Sequence, residues 1–153
     1  MRAMTEATAS AAALNGEGGR SVRLRIPAKA EYVTLCRLAL TGLAQLRAMD
    51  EATIADVKLA LTEAVSNSVR HAYGDGANGH VDIHYELRPN RLDVEVVDDG
   101  AGFDPDEPPK IEGEELSEGG LGIAIIKTIA DEFEIESKPG VRGSRLHFAK
   151  LLN

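Results

Sequence analysis

Leu61-Thr62-Glu63-Ala64-Val65-Ser66-Asn67-Ser68-Val69-Arg70-His71-Ala72-Tyr73 is the stretch on which the fold turns. A helix would stack Glu63 and Asn67, four positions apart, one turn from each other on the same face. Ile54, Val57, Leu61, Ala64, Val65 and Ser68 or Val69 trace the opposite stripe at helical spacing. The expected element is a helix with one side in the core and the other carrying a carboxylate and a carboxamide. Taken alone, such a polar side is an ordinary solvated surface. Asp50 or Thr53 is placed to cap the helix, Glu51 and Asp56 bring negative charge to its first turn, and Tyr73-Gly74-Asp75-Gly76 ends it.

Outward from that helix, the pattern is short and regular. Residues 1–20 are rich in Ala, Thr, Ser and Gly with no periodic apolar face, and are expected to be a disordered tail, leaving residues 21–153 as the domain. Val22, Leu24 and Ile26 alternate with Arg23 and Arg25 in a strand stopped by Pro27, which suits a sheet edge. A long helix is expected from Ala28 to about Arg47, with Cys36 among Leu35, Leu38 and Leu40. Beyond the central helix, Val81 to Leu87 and Leu92 to Val96 alternate on either side of Arg88-Pro89-Asn90-Arg91 and predict a hairpin with His84 on its polar face.

The second hairpin strand runs into Asp98-Asp99-Gly100-Ala101-Gly102, then into an acidic, Pro- and Gly-rich loop at about 103–119, long enough to be a lid. Gly119-Gly120-Leu121-Gly122 opens a helix through Ala130, and a last hairpin follows: a strand around Phe133 to Ser137, a turn at Lys138-Pro139-Gly140, and Gly143 to Phe148. Consecutive, mostly antiparallel strands with interspersed helices predict an α+β two-layer sandwich: a mixed, mostly antiparallel sheet with helices on one face.

Composition narrows the function. A net charge of −8, with Lys and Arg scattered, argues against a nucleic-acid surface. No apolar run approaches the ~20 residues of a membrane span, and the Ala-rich start is broken before it resembles a signal peptide, so a soluble, cytoplasmic protein is expected. One cysteine and four scattered histidines match no zinc spacing, and Cys36 reads as a small core residue.

The glycine segments are weak signals singly. Gly119-Gly120-Leu121-Gly122 before a helix suits a phosphate, because helix N-terminal N–H groups and the dipole favour an anion, but it is no P-loop. The combination is specific. Glu63-x-x-x-Asn67 on a helix, Asp98-x-Gly100-x-Gly102 after a strand, an acidic lid, Gly120-x-Gly122 opening a helix, and Gly143-Ser144 entering the last strand resemble, in order, the N, G1, G2 and G3 boxes of the GHKL ATPases and kinases. Thr62-Glu63-Ala64-Val65-Ser66-Asn67-Ser68 with His71-Ala72-Tyr73, and Gly120 to Ile126 followed by Asp131-Glu132, look like the bacterial anti-sigma factors with serine kinase activity.

That resemblance implies a histidine kinase-like ATP-binding fold and the cofactors ATP and Mg²⁺. By resemblance, Asn67 offers an oxygen to Mg²⁺ and Glu63 polarises the attacking hydroxyl. Asp98 accepts from the adenine amino group, Gly100 and Gly102 admit the base, and Ser144 helps hold Asp98. Gly119, Gly120, Leu121 and Gly122 lie along the phosphates. Arg70 and Lys127 are lesser candidates for phosphate contact, and His71 for a place in the cleft. The implied partners are a sigma factor, an anti-anti-sigma factor of the STAS type as phosphorylation substrate, and a second copy in a homodimer through the exposed sheet face. The competing reading is a non-catalytic ATP-sensing interaction module, favoured by Ser117-Glu118 where such kinases often carry a basic residue before the lid glycines. A sensor histidine kinase fares worse, since no histidine precedes His71 to accept phosphate.

Overall fold

The computed structural model describes residues 19–72, 79–106, 111–112, 115–116 and 118–152. Residues 1–18 of the expected tail (1–20), the turn after the central helix (73–78), parts of the expected lid loop and the side chain of His71 lie outside the described residues, while Arg20 already belongs to the first strand. The elements are β1 (Arg20–Pro27), a 3-10 turn (Ala30–Tyr32), α1 (Val33–Leu46), α2 (Glu51–Ala72), β2 (His80–Arg88), β3 (Arg91–Asp98), β4 (Ile111–Glu112), β5 (Glu115–Leu116), α3 (Glu118–Ile129), β6 (Glu132–Lys138) and β7 (Val141–Leu151).

Five strands form one sheet in the order β1-β2-β3-β7-β6, and every neighbouring pair is antiparallel. The sheet is therefore not mixed. The single-helix crossover through α3 brings β6 back parallel to β3, but β7 turns into the gap between them, so no parallel pair forms. β1 is an edge strand, as Pro27 suggested. The lid segment is not structureless either: β4 and β5 pair Ile111 with Leu116 and Glu112 with Glu115.

Strict alternation sends one set of side chains inward: Val81, Ile83, Tyr85 and Leu87 from β2, and Leu92, Val94, Val96 and Asp98 from β3. Onto that face pack Cys36, Leu40 and Leu43 of α1 and Val57, Ala60, Leu61, Ala64 and Val65 of α2, all buried. Each fully buried Leu or Val contributes roughly 1.5–3 kcal/mol. The Tyr85 hydroxyl donates to the Cys36 carbonyl at 2.7 Å, fixing α1 on the sheet. Burial pushes the Cys36 thiol up to about 11, as expected of a core residue. Leu35 and Leu38, grouped with Cys36 and Leu40 in the sequence, instead face outward at 47% and 60% exposure. The Asp50 carboxylate accepts from the Thr53 N–H at 2.7 Å and caps α2.

The outer sheet face is polar and cross-linked. Ser21 Oγ and His84 Nε2 hydrogen-bond at 2.7 Å, Arg25 reaches Asp82 at 2.8 Å, and Arg145 reaches Glu95 at 2.8 Å. Asp93 accepts two bonds from Arg91 and one from His147, each at 2.9 Å.

Candidate functional site

α2 brings Glu63 and Asn67 to one face, as the spacing requires, but that face is not open to water. Asn67 is only 2% exposed, and α3 packs across α2. The sequence pattern of α2 shows a polar face and cannot show what covers it. The Asn67 side-chain oxygen, Oδ1, is buried without a hydrogen-bond partner among the described residues. Such an atom ordinarily costs about 1–3 kcal/mol, so it marks a place where stability yields to another demand.

Gly122 is what allows α3 to come so close. A Cβ there would stand 2.7 Å from Glu63 Oε2 and 3.7 Å from its Cβ and Cδ. The helix starts at Glu118, so Gly119, Gly120, Leu121 and Gly122 form its opening turns, as the sequence suggested. The N–H groups of the opening turn of a helix have no intrahelical acceptor and, with the helix dipole, attract an anion.

Asp98, the residue expected to face the base, sits at the end of β3. Asp98 pairs in register with Ser144 of β7 and is 6% exposed. The Ser144 hydroxyl donates to one carboxylate oxygen at 2.5 Å, and the Gly100 N–H donates to the other at 3.0 Å. The carboxylate is thereby oriented while each oxygen keeps capacity to accept from a ligand. The Gly143 N–H donates to the Gly100 carbonyl at 2.7 Å, and Gly143 has φ +90°. Gly102, at φ +78°, lies where any Cβ would collide with the Lys138 and Val141 carbonyl oxygens.

Of the other candidates, Lys127 is engaged over the Phe133 ring, 5.6 Å from its centroid, and Arg70 is exposed. Sequence reasoning gave no role to Asp99, Ser137 or Arg142. Arg142 donates to both Asp99 carboxylate oxygens at 2.7 and 2.6 Å, and the Ser137 hydroxyl accepts from the Phe103 N–H at 2.9 Å. The signal available was position alone: Asp99 follows Asp98, and Arg142 precedes Gly143-Ser144.

Asn67 fits an oxygen-preferring ion such as Mg²⁺, which takes few protein ligands and completes its shell with water and phosphate oxygens. Among the described residues no group of three or more His, Cys, Asp or Glu side chains is placed to hold a metal.

Comparison with known proteins gives the same outline. The family model of the histidine kinase-like ATPase domain matches residues 26–150. The serine-protein kinase RsbW of Bacillus velezensis is 38% identical over 128 residues, covering 78% of this chain and 80% of its own. RsbW of Bacillus subtilis is 37% identical over 128 residues, with the same coverage. Among solved structures, the RsbU and RsbW domains of Rv1364c from Mycobacterium tuberculosis superpose with a TM-score of 0.64 at 19% identity, covering 88% of this chain and 33% of that one. That structural likeness supports the fold. A carboxylate one turn from an orphaned amide oxygen, an oriented aspartate at a strand end and a glycine-bearing helix start recur here within a matching family pattern, and the chain belongs to the histidine kinase-like ATPase family, among the RsbW-type serine-protein kinases.

Proposed function

We propose that the chain is an ATP-dependent protein-serine kinase that acts as an anti-sigma factor, with Asn67, Asp98 and the α3 start holding Mg-ATP and Glu63 acting on the phosphate acceptor. The observation that carries this is the buried, unpartnered Asn67 Oδ1 one helical turn from Glu63. Asp98 accepts the adenine amino group, with Ser144 and the Gly100 N–H holding its oxygens in place. Gly100 leaves the base room beside the backbone, and Gly102 lets the β6–β7 hairpin close against the same run. Gly119, Gly120, Leu121 and Gly122 present N–H groups toward the phosphates. Asn67 is the metal ligand of the chain. Mg²⁺, when bound, supplies charge neutralisation on the phosphate oxygens. Glu63 accepts the proton of a substrate serine hydroxyl as it attacks, and positioning does the rest.

The partners follow from the same reading: a sigma factor that is sequestered, and a STAS-type anti-anti-sigma factor phosphorylated on serine. No helix among the described residues is long and apolar enough to cross a membrane, which accords with a cytoplasmic site of action. The chain also pairs with itself through the outer sheet face. Two such faces stacked about a two-fold axis parallel to the strands set Arg23 and Arg25 of one copy toward Glu134 and Glu136 of the other. Sedimentation at low and high salt checks this, and a monomer under both conditions excludes it.

The kinase reading is tested by incubating γ-labelled ATP with the chain and a candidate antagonist, comparing wild type with Glu63→Ala. Label on the antagonist is expected to fall about 10²–10⁴-fold while ATP binding persists. Undiminished label removes Glu63 from the mechanism, and bound ATP with no labelled partner favours a pure sensor.

A further inference from the structure

The β3–β7 ladder ends at the pair Asp98–Ser144, yet the two strands' continuations stay gripped beyond it. The Gly143 N–H reaches the Gly100 carbonyl at 2.7 Å, Arg142 forks onto Asp99 at 2.7 and 2.6 Å, Gly102 lies against the Lys138 and Val141 carbonyls, and the Phe103 N–H reaches Ser137 Oγ at 2.9 Å. The tip of the β6–β7 hairpin is thus fastened to the run from Asp98 to Phe103 along its length. Asp98 lies at one end of that run, and the lid segment leaves from the other.

We propose that Arg142, through its two hydrogen bonds to Asp99, is a positioning residue for the nucleotide: it holds the hairpin tip as the wall of the base subsite and fixes the point from which the lid departs. Arg142 and Asp99 side chains are 78% and 66% exposed, so the fold itself draws little stability from them. The planar guanidinium fork, however, fixes geometry as well as charge, because two parallel bonds to one carboxylate allow a single relative orientation. The Arg142 hydrogen bonds also hold the Asp99 carboxyl below its usual range, in keeping with a formed pair. Asp99 is joined directly to Asp98, so a swing of the Asp99 backbone would turn the Asp98 carboxylate away from Ser144. Gly102 and Phe103 would move with it, and with them the root of the lid.

This inference rests on the ATP reading, and the experiment separates the two. Calorimetric titration of the full chain with ATP and with ADP compares wild type, Arg142→Ala, Asp99→Ala, the double variant and Asp99→Glu, each with its melting temperature. Both single variants are expected to bind ATP and ADP about 3- to 5-fold more weakly, the range open to a water-exposed pair. The double variant is expected to lose no more than either single one, Asp99→Glu to recover part of the loss, and melting temperatures to stay near wild type. Unchanged affinities in both single variants, additive losses in the double variant, or a loss confined to Arg142→Ala would each overturn the positioning role. A loss confined to Arg142→Ala would instead mean that Arg142 touches the nucleotide itself. A wild-type chain that binds neither nucleotide defeats the ATP reading underneath.

Discussion

The two faces flanking the sheet both carry polar side chains, and they treat them in opposite ways. On the outer face, Asp93 is shared by Arg91 and His147, Glu95 meets Arg145, and Ser21 meets His84. On the helix side, Asn67 is buried with its oxygen lacking a partner among the described residues, and Glu63 lies against a glycine of α3. A polar group that satisfies its neighbours serves the fold, whereas one left unsatisfied in a well-packed interior is held for something that arrives later. Residue type alone does not separate these cases; the hydrogen-bond inventory does.

The largest effect expected on the site side comes from Gly102→Ala. Its φ of +78° and the two carbonyl oxygens in its way leave no room for a methyl group, so unfolding stability should drop by about 3 kcal/mol or more in a denaturant titration. A near-wild-type midpoint would mean that the hairpin tip can move aside.

The comparison is sharpened most directly by a pair of substitutions. Asp93→Leu strips acceptors from Arg91 and His147 and should lower nucleotide-free stability by about 1–2 kcal/mol. Asn67→Leu removes an unpartnered oxygen and should leave that stability unchanged or raise it by up to about 1 kcal/mol, while Mg²⁺-dependent ATP binding is lost. Melting curves with and without Mg-ATP read both effects. If Asn67→Leu destabilises the chain as much as Asp93→Leu, the contrast between the faces fails.

The smallest effect is a pH dependence of the outer face. Burial, then the Arg23 charge, lowers the His84 pKa below its usual value, outweighing the nearby acids. Protonation therefore favours the unfolded chain: the contribution is present above the ordinary histidine pKa near 6.5 and is lost as pH falls below it toward the folded value. Melting temperature should decline from pH 7 to pH 5.5 in wild type and decline less in His84→Gln; equal slopes would remove His84 from the account.

Much of this was legible beforehand. The α2 stripe and the alternation of β2 and β3 state their own burial, and the cap at Asp50 and the turn at Pro89-Asn90 state their boundaries. Features that depend on remote neighbours were not. The close approach of Gly122 in α3 to Glu63, and the grip of Arg142 on Asp99, join residues more than 40 positions apart that share no local pattern. Leu35 and Leu38 misled because α1 is apolar on more than one side, so periodicity cannot decide which stripe turns inward. The glycines that open α3 were legible as a helix start, but the close approach to Glu63 that demands one of them, Gly122, was not.

The insertion of β7 between β3 and β6 has a consequence for how the chain comes into being. β7 is the last described strand, and although β6 is its hairpin neighbour, its other partner, β3, lies far behind it in sequence, so the central sheet closes late, after a non-local search. Until then β3 and β6 have no strand between them, and Asp98 lacks the Ser144 hydroxyl that aims it. A ribosome-bound fragment ending before Val141 would have the helix bearing Glu63 and Asn67 but no finished place for a base. Competence for nucleotide thus comes with completion of the sheet, and bound ATP would report a chain made through β7.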